Sequence, residues 1–419
     1  MLARYRYRIE PTPSQAEYLS RVFGCCRVVF NDALRVREEA RRTGTKLSDT
    51  EIQRRVITVA KTTEERTWLA EVPSVALVQA VNDARRAFRN FFDSAAGVRK
   101  GRRIGRPRMK SKKDHKQSFR LTRNGFRIRS NGRLYVAKIG DIRVRWSREL
   151  PSEPSSVTVI READGHFYAS FVVDVPVLLL PDSGSECGVD MGIARLATVA
   201  STAGSRTDIG NPKYLKRSLR KLARLQREQC RREVGSRNRE KSRRKVAVQS
   251  GKVARSRRDY HHKQALSLVH DNQVIYIEDL NIATMVRNSR LARAIGDAGW
   301  GGFTRIIGEK CMRHGRVLHR VSRWLPSSKT CSSCGYVLES LALGVREWTC
   351  RECGIVHDRD YNAAENILAA GRAERINDGG AEVSPSREEA HGNEAGSVRG
   401  AVVPNARQWQ AYVSCGSSS

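Results

Sequence analysis

Four cysteines stand in two pairs, Cys331-x-x-Cys334 and Cys350-x-x-Cys353, with fifteen residues between the pairs. Each CxxC turn aims two sulfurs at one point, and two such turns supply the four thiolates of a closed tetrahedral Zn²⁺ site. The spacing is that of a zinc ribbon, and one structural zinc is expected. Chance pairing of buried cysteines is the rival reading, and the doubled spacing disfavours it. Cys25, Cys26, Cys187, Cys230, Cys311 and Cys415 show no disulfide spacing, the usage of a reduced, intracellular chain.

Carboxylates form the second chemical group. Asp190 lies inside the apolar run 186–201, Glu278 closes the run Gln273-Val-Ile-Tyr-Ile, and Asp358 and Asp360 follow the second cysteine pair directly. A charge within an apolar strand is costly unless Lys, Arg or a cation pairs with it. Hard cations such as Mg²⁺ prefer carboxylate oxygen. Two of them, about 3.5–4 Å apart, activate a water and stabilise the leaving oxygen of a phosphodiester. That chemistry needs acids converging from distant segments, as Asp190, Glu278 and one of Asp358 or Asp360 could. Taken singly, each acid is more often structural.

These groups need elements to position them. Residues 2–9 alternate as a strand, and a helix over 15–42 starts after Pro11-Thr-Pro-Ser with Ser14 as N-cap. Helices are expected over 48–62 and 73–93, the latter packing Val75, Val78, Ala87, Phe88 and Phe91. Short alternating segments at 118–122, 126–129, 133–137, 142–146, 156–161 and 166–175, separated by turns such as Asn124-Gly125, predict a meander or small barrel, which the 2–9 strand could join. A hairpin turning at Gly192 is expected over 186–201. Two long helices follow over 212–268, breaking near Gly235-Ser236, the first with Leu215, Leu219, Leu222 and Leu225 on one face. A strand at 273–277, a helix at 299–313, a strand at 316–321, the ribbon and a short helix from Asp360 complete the pattern. Beyond Gly371 periodicity is lost, which reads as a mostly disordered tail.

The chain has 419 residues and a formal charge of +33, from 77 Lys and Arg against 44 acids. Such an excess calls for a polyanion, nucleic acid first. No apolar run reaches the roughly 18 residues of a spanning helix, and the basic N-terminus has no signal-peptide core. Two stretches concentrate the charge. Residues 97–120 include Arg106, Arg108, Lys110, Lys112 and Lys113; residues 213–263 include Arg217, Arg220, Arg224 and Arg227. A solvated linker and a solvated helix face are the plainer readings of each.

The sequence resembles the TnpB family, RNA-guided nucleases encoded by bacterial insertion sequences and similar to the ancestors of type V CRISPR effectors. The resemblance rests on Pro13-Ser-Gln, Gly24-Cys-Cys-Arg-Val-Val-Phe-Asn, Ala87-Phe-Arg-Asn-Phe-Phe and Gly105-Arg-Pro-Arg-Met-Lys. It continues through Gly188-Val-Asp-Met-Gly, Ile277-Glu-Asp-Leu, Pro326-Ser-Ser-Lys-Thr-Cys and the stretch from Trp348 to Ile367. Cys25-Cys26 departs from the usual pattern, with packing the expected role. The resemblance implies an α/β RNase H-like, RuvC-type nuclease core with a zinc-ribbon insert, and an N-terminal wedge-like β-barrel carrying an inserted helical recognition domain. The implied boundaries are 1–10 and 97–180 for the barrel and 11–96 for the helical domain. The nuclease domain takes 181–325 and 357–372, the ribbon 326–356, and the tail 373–419. The family's acid order, Asp, Glu, Asp, falls on Asp190, Glu278 and Asp360, favouring Asp360 over Asp358 and implying two Mg²⁺. The implied partners are a transposon-derived guide RNA and double-stranded target DNA, in a monomeric ribonucleoprotein of the bacterial cytoplasm and nucleoid. Pairing would read most of the target and the protein a short adjoining motif, with Gln79, Asn82 and Asn124 as candidate readers; surface amides without a role are the plainer alternative. A DDE transposase would end its acid set in Glu, a nuclease-inactive repressor would lack an acid, and a plain zinc-ribbon DNA-binding protein would leave the buried acids unexplained.

Overall fold

The computed structural model describes residues 1–99, 101–342 and 344–377. The chain divides into two compact units at Val175/Pro176.

The first unit begins with β1 (Leu2–Glu10), which buries Tyr5, Tyr7 and Ile9 on one face by simple alternation. Helix α1 (Pro13–Arg42) follows, then α2 (Asp49–Gln53) and α3 (Ser74–Ala95). The expected helix at 48–62 is helical throughout but changes pitch, through a π turn over Arg54–Val59 and a 3₁₀ turn over Ala60–Thr62. The N-cap of α1 is Thr12, not Ser14. Pro13 fills the first helical position, where no N–H is needed, and Thr12 and Gln15 form a reciprocal capping box. On α3 the buried face is Ala76, Leu77, Ala80, Val81, Ala84 and Phe88, rotated from the expected one; its alanines admit the neighbouring helix α1.

The strands β2 (Gln117–Thr122), β3 (Phe126–Ile128), β4 (Leu134–Val136), β5 (Gly140–Arg145), β6 (Ser156–Arg161) and β7 (Phe167–Asp174) join β1 in one antiparallel sheet of order β2-β6-β7-β1-β5-β4-β3. The two edges, β2 and β3, are joined by a single turn at Arg123–Gly125, so the sheet must curl. Residues 11–96 share one continuous core with this sheet; Phe23 of α1 meets Phe119 of β2 with ring centroids 5.2 Å apart.

The second unit is a five-stranded sheet of order β10-β9-β8-β11-β12, made of β8 (Glu186–Asp190), β9 (Arg195–Ser201), β10 (Arg206–Gly210), β11 (Val274–Glu278) and β12 (Val317–Val321). The hairpin β8–β9 is antiparallel, while β11 runs parallel to both β8 and β12. Strand β10 has no signal in the sequence because it buries only Ile209. Between β10 and β11 come α4 (Tyr214–Cys230) and α5 (Arg237–Asp271). Between β11 and β12 come α6 (Ile282–Met285), α7 (Ser289–Ala298) and α8 (Trp300–His314); the first two were not expected. Ribbon strands β13 (Glu347–Thr349) and β14 (Val356–Asp358) precede α9 (Arg359–Asn377).

Alternation sorts this sheet into layers. Cys187, Val189, Ile275 and Ile277 face Ala265, Leu268, Phe303 and Ile307 of α5 and α8. Val274 and Tyr276 face Ile367 and Leu368 of α9. Gly188 shares that second face: a Cβ there would lie 2.1 Å from the Ala364 carbonyl, so only glycine lets α9 lie this close to β8. Gly371 is the counterpart on the helix, where a Cβ would fall 2.1 Å from Tyr276 Cδ1. Gly371 is therefore a packing glycine rather than a helix stop, and α9 runs on to Asn377, through positions read from sequence as the start of a tail. The rest of that tail, 378–419, lies outside the described residues.

Candidate functional site

Period-2 geometry decides where the acids point. Asp190 follows Gly188 by two residues on β8, and Glu278 follows Tyr276 by two on β11, so both face α9 at the carboxyl ends of neighbouring parallel strands. Asp360 occupies the first turn of α9, where the helix dipole favours a carboxylate. Burial drives the Asp190 pKa up to about 7, and the nearby charges of Asp360 and Glu278 add to the rise. Burial also raises that of Glu278. Three mutually repelling acids, two of them poorly solvated, make a site that demands cationic compensation.

Asp358 and Asp360 have different work. The Asp358 Oδ1 accepts the backbone N–H groups of Asp360 at 2.9 Å and Tyr361 at 3.1 Å, capping α9. Asp360 instead meets guanidinium groups. Arg346 Nη1 donates to its Oδ1 at 3.2 Å, and Arg195 Nη1 is 3.8 Å from its Oδ2. Arg195 also pairs with Asp208 at 2.9 Å and lies 3.7 Å from Asp358. Neither arginine was singled out from the sequence, where nothing separates them from the other basic residues.

The ribbon is built from two similar knuckles. Cys331 N–H donates to the Tyr336 carbonyl at 2.8 Å and Cys350 N–H to that of Ile355 at 2.9 Å, each turn closed by a positive-φ glycine, Gly335 or Gly354. The Sγ atoms of Cys331, Cys334, Cys350 and Cys353 all lie within 4.8 Å of one another, with Cys331–Cys353 and Cys334–Cys350 at 3.6 Å. A tetrahedron with Zn–S bonds of about 2.3 Å has edges of about 3.8 Å, so the four thiolates fit zinc. The buried His357 brings Nε2 to 3.0 Å from Cys331 Sγ, an outer contact of the kind that orients a ligand.

The ribbon is tied to the same helix as Asp360. Nδ2 of both Asn362 and Asn366 donates to the Ser327 and Thr330 carbonyls, while Asn362 Oδ1 accepts from Ser332 N–H at 2.9 Å. Glu365 accepts from the Ser332 hydroxyl at 2.8 Å and from Arg206. Two nearly buried asparagines amid alanines were the available sequence signal for this tie.

The expected nucleic-acid contacts fall in both units. In the second, Arg217, Arg220, Arg224 and Arg227 are all exposed along α4 and, among the described residues, have no acidic partner. Their helix is entered at a fixed angle, because Asp297 of α7 accepts the N–H groups of Leu215 and Lys216 at 2.8 and 2.9 Å. In the first unit, Lys110 lies 4.0 Å above the Phe30 ring, and its backbone N–H and C=O both bond to the Asn31 side chain. Arg106 is within 3.7 Å of Glu38; Arg108, Lys112 and Lys113 are exposed. Lys100 lies outside the described residues. Asn124 is exposed in the β2–β3 turn, whereas Gln79 and Asn82 are half-buried on α3.

Family models match three stretches: residues 1–46 ("Helix-turn-helix domain"), 170–289 ("Probable transposase", of the OrfB_IS605 type) and 300–367 ("Cas12f1-like, TNB domain"). A Streptomyces pristinaespiralis protein named "Putative RNA-guided DNA endonuclease" is 42% identical over 377 residues, covering 88% of this chain and 89% of its own. The chain belongs to the TnpB family. Escherichia coli K12 InsQ, named likewise, is 31% identical across 89% of this chain and 93% of its own. The fold extends to more distant proteins: a chain solved as "Cryo-EM structure of the Cas12f1-sgRNA-target DNA complex" aligns with a TM-score of 0.55 at 14% identity, covering 85% of this chain and 83% of that one. One label fits this TnpB member poorly. Residues 1–46 hold a strand and one unbroken 30-residue helix, not a helix-turn-helix. Among the described residues no helix is long and apolar enough to cross a membrane.

Proposed function

We propose that this chain is an RNA-guided DNA endonuclease of a bacterial insertion sequence, cutting double-stranded DNA beside a short motif by metal-dependent phosphodiester hydrolysis. The observation that carries the reading is the meeting of Asp190, Glu278 and Asp360 at the carboxyl edge of parallel strands, with the Asp190 pKa raised by burial and by the other two charges. Its names for guide and target come from the relatives, which are called RNA-guided DNA endonucleases.

The donor set is all carboxylate oxygen, which suits Mg²⁺. Asp190, Glu278 and Asp360 would hold two such ions, whose chemistry is to activate a water and to stabilise the leaving oxygen. Arg346 and Arg195 lie against the Asp360 carboxylate. Asp358 holds the first turn of α9, and so fixes where Asp360 points. The Cys₄ cluster is assigned one structural Zn²⁺, and the exposed arginines of α4, with Arg106, Arg108, Lys110, Lys112 and Lys113, are assigned to the phosphates of guide and heteroduplex. A polyanion there relieves the repulsion of the crowded cations. Gln79, Asn82 and Asn124 remain the candidates for reading the adjoining motif, Asn124 foremost because it is exposed. The expected setting is the cytoplasm and nucleoid.

The test is Asp190→Ala in protein purified with its guide RNA. Cleavage of a matched target should vanish while RNA and DNA binding persist, since no phosphate contact is removed. Retained cutting by Asp190→Ala sinks the assignment, and sequencing of the co-purified RNA identifies the guide.

A further inference from the structure

Strand β12 ends at Val321, which pairs in register with Glu278, so the chain leaves β12 at the edge where the acids gather. The loop that follows is pinned on both sides. Leu325 N–H closes a turn onto the Ser322 carbonyl at 3.1 Å, and Leu325 packs against the cluster of Val274, Tyr276, Val321 and Ile367. The Pro326 carbonyl accepts from Lys329 and Thr330, and the Ser327 carbonyl is held by Asn362 and Asn366. Arg323 pairs with Asp279, the neighbour of Glu278, and Arg320 lies 3.8 Å from the same carboxylate.

Within this anchored loop Trp324 is 85% exposed, more than any other large hydrophobic residue described. Its indole makes no ring contact and no hydrogen bond among the described residues. Isolated exposed aliphatics such as Val234 are ordinary. A tryptophan is not equivalent: it forgoes the largest burial gain of any side chain, and its flat face has one natural counterpart beside a phosphodiester centre. A base in duplex DNA already has both faces stacked. An unpaired base has a free face, and stacking on an aromatic ring is indifferent to its identity. Arg320 and Arg323, the latter directly before Trp324 in the chain, both lean on the Asp279 carboxylate and so help to hold the loop.

We propose that Trp324 is a stacking platform for an unpaired nucleotide next to the scissile phosphate, a substrate-positioning residue of the cleavage centre. The inference rests on the nuclease reading above. An unpaired strand laid across the carboxyl edge would seat one base on the indole, and so fix the register in which its backbone passes the three acids.

The experiment compares wild type, Trp324→Ala and Trp324→Phe on a guide-matched target carrying single abasic sites tiled around the cut. Trp324→Ala should lower the single-turnover cleavage rate about tenfold, the order expected of one lost base–aromatic stack. Guide affinity and thermal midpoint should stay as in wild type, and Trp324→Phe should recover most of the rate. One abasic position should slow wild type by a similar factor and leave Trp324→Ala unchanged. Abasic penalties equal in both proteins, or a Trp324→Ala rate equal to wild type, overturn the proposal. Should wild type cut nothing, the nuclease reading falls, and the platform is judged separately by indole fluorescence in metal-free buffer. Oligothymidylate should quench wild type more than Trp324→Phe, and equal quenching would refute it.

Discussion

The second unit gathers two clusters of side chains, four thiols and three acids, assembled in opposite ways. The four cysteines come from two local knuckles, each closed by its own backbone hydrogen bonds and a positive-φ glycine. The three acids come from two strands and a helix far apart in sequence, and they meet only because the sheet is parallel there and α9 crosses it closely. Neutral thiols can gather without mutual repulsion. Carboxylates cannot gather so cheaply, and here two rise in pKa while the third is held by Arg346 and Arg195. The first cluster has the closed donor set that suits a structural zinc; the second gathers like charges that call for counter-ions.

The largest expected effect separates two acids two residues apart. Asp360→Asn should reduce target cleavage by about a thousandfold or more, several kcal/mol of transition-state stabilisation. Asp358→Asn should keep most activity, because Asn is nearly as good a helix cap as Asp. Cleavage assays at saturating guide decide it: an inactive Asp358→Asn beside an active Asp360→Asn would reverse the assignment.

On the thiolate side, Cys350→Ser should abolish stoichiometric zinc and destabilise the ribbon by roughly 3 kcal/mol or more. Metal analysis and limited proteolysis between residues 326 and 356 report it. Full zinc content in that variant would break the contrast between closed and open clusters.

A smaller effect is expected from α4. Replacing Arg217, Arg220, Arg224 and Arg227 with Gln should weaken RNA binding and flatten its salt dependence by roughly 0.7–0.9 log units per lost phosphate contact. Excess RNA should then partly restore cleavage. An unchanged slope would show a solvated helix face.

The smallest effect lies in neither cluster. Burial, then the charge of Arg257, lowers the His261 pKa to about 4 from 6.5. The folded protein therefore refuses a proton that the unfolded chain accepts. Its stability contribution is complete above pH 6.5 and is lost as pH falls towards 4, on the order of 3 kcal/mol. Urea titrations across that window should show less acid sensitivity in His261→Gln, which keeps a donor for the Ala298 carbonyl.

Legibility in the sequence followed the same division. The knuckles could be read from spacing, because their geometry is local. The strands of the first unit and the β8–β9 hairpin could be read from alternation and turn residues. The choice of Asp360 over Asp358 came from family resemblance; the hydrogen bonds of Asp358 to the first turn of α9 were not legible in the sequence. What stayed hidden was tertiary. Strand β10 is nearly all exposed, and α6 and α7 are short. Gly371 looked like a helix stop because a packing glycine and a terminating glycine are the same letter. Arg195 and Arg346 were two cations among 77.

The asparagine tie has a practical corollary for anyone exchanging modules between related proteins. The natural transplant does not end at Cys353. Asn362 and Asn366 grip the loop before the first knuckle, so a foreign ribbon spliced in between 326 and 356 would meet a helix shaped to hold another loop. A working chimera would have to carry its own α9 as far as Asn366, and with it Asp360. The ribbon and the first turn of α9 would have to move as one piece.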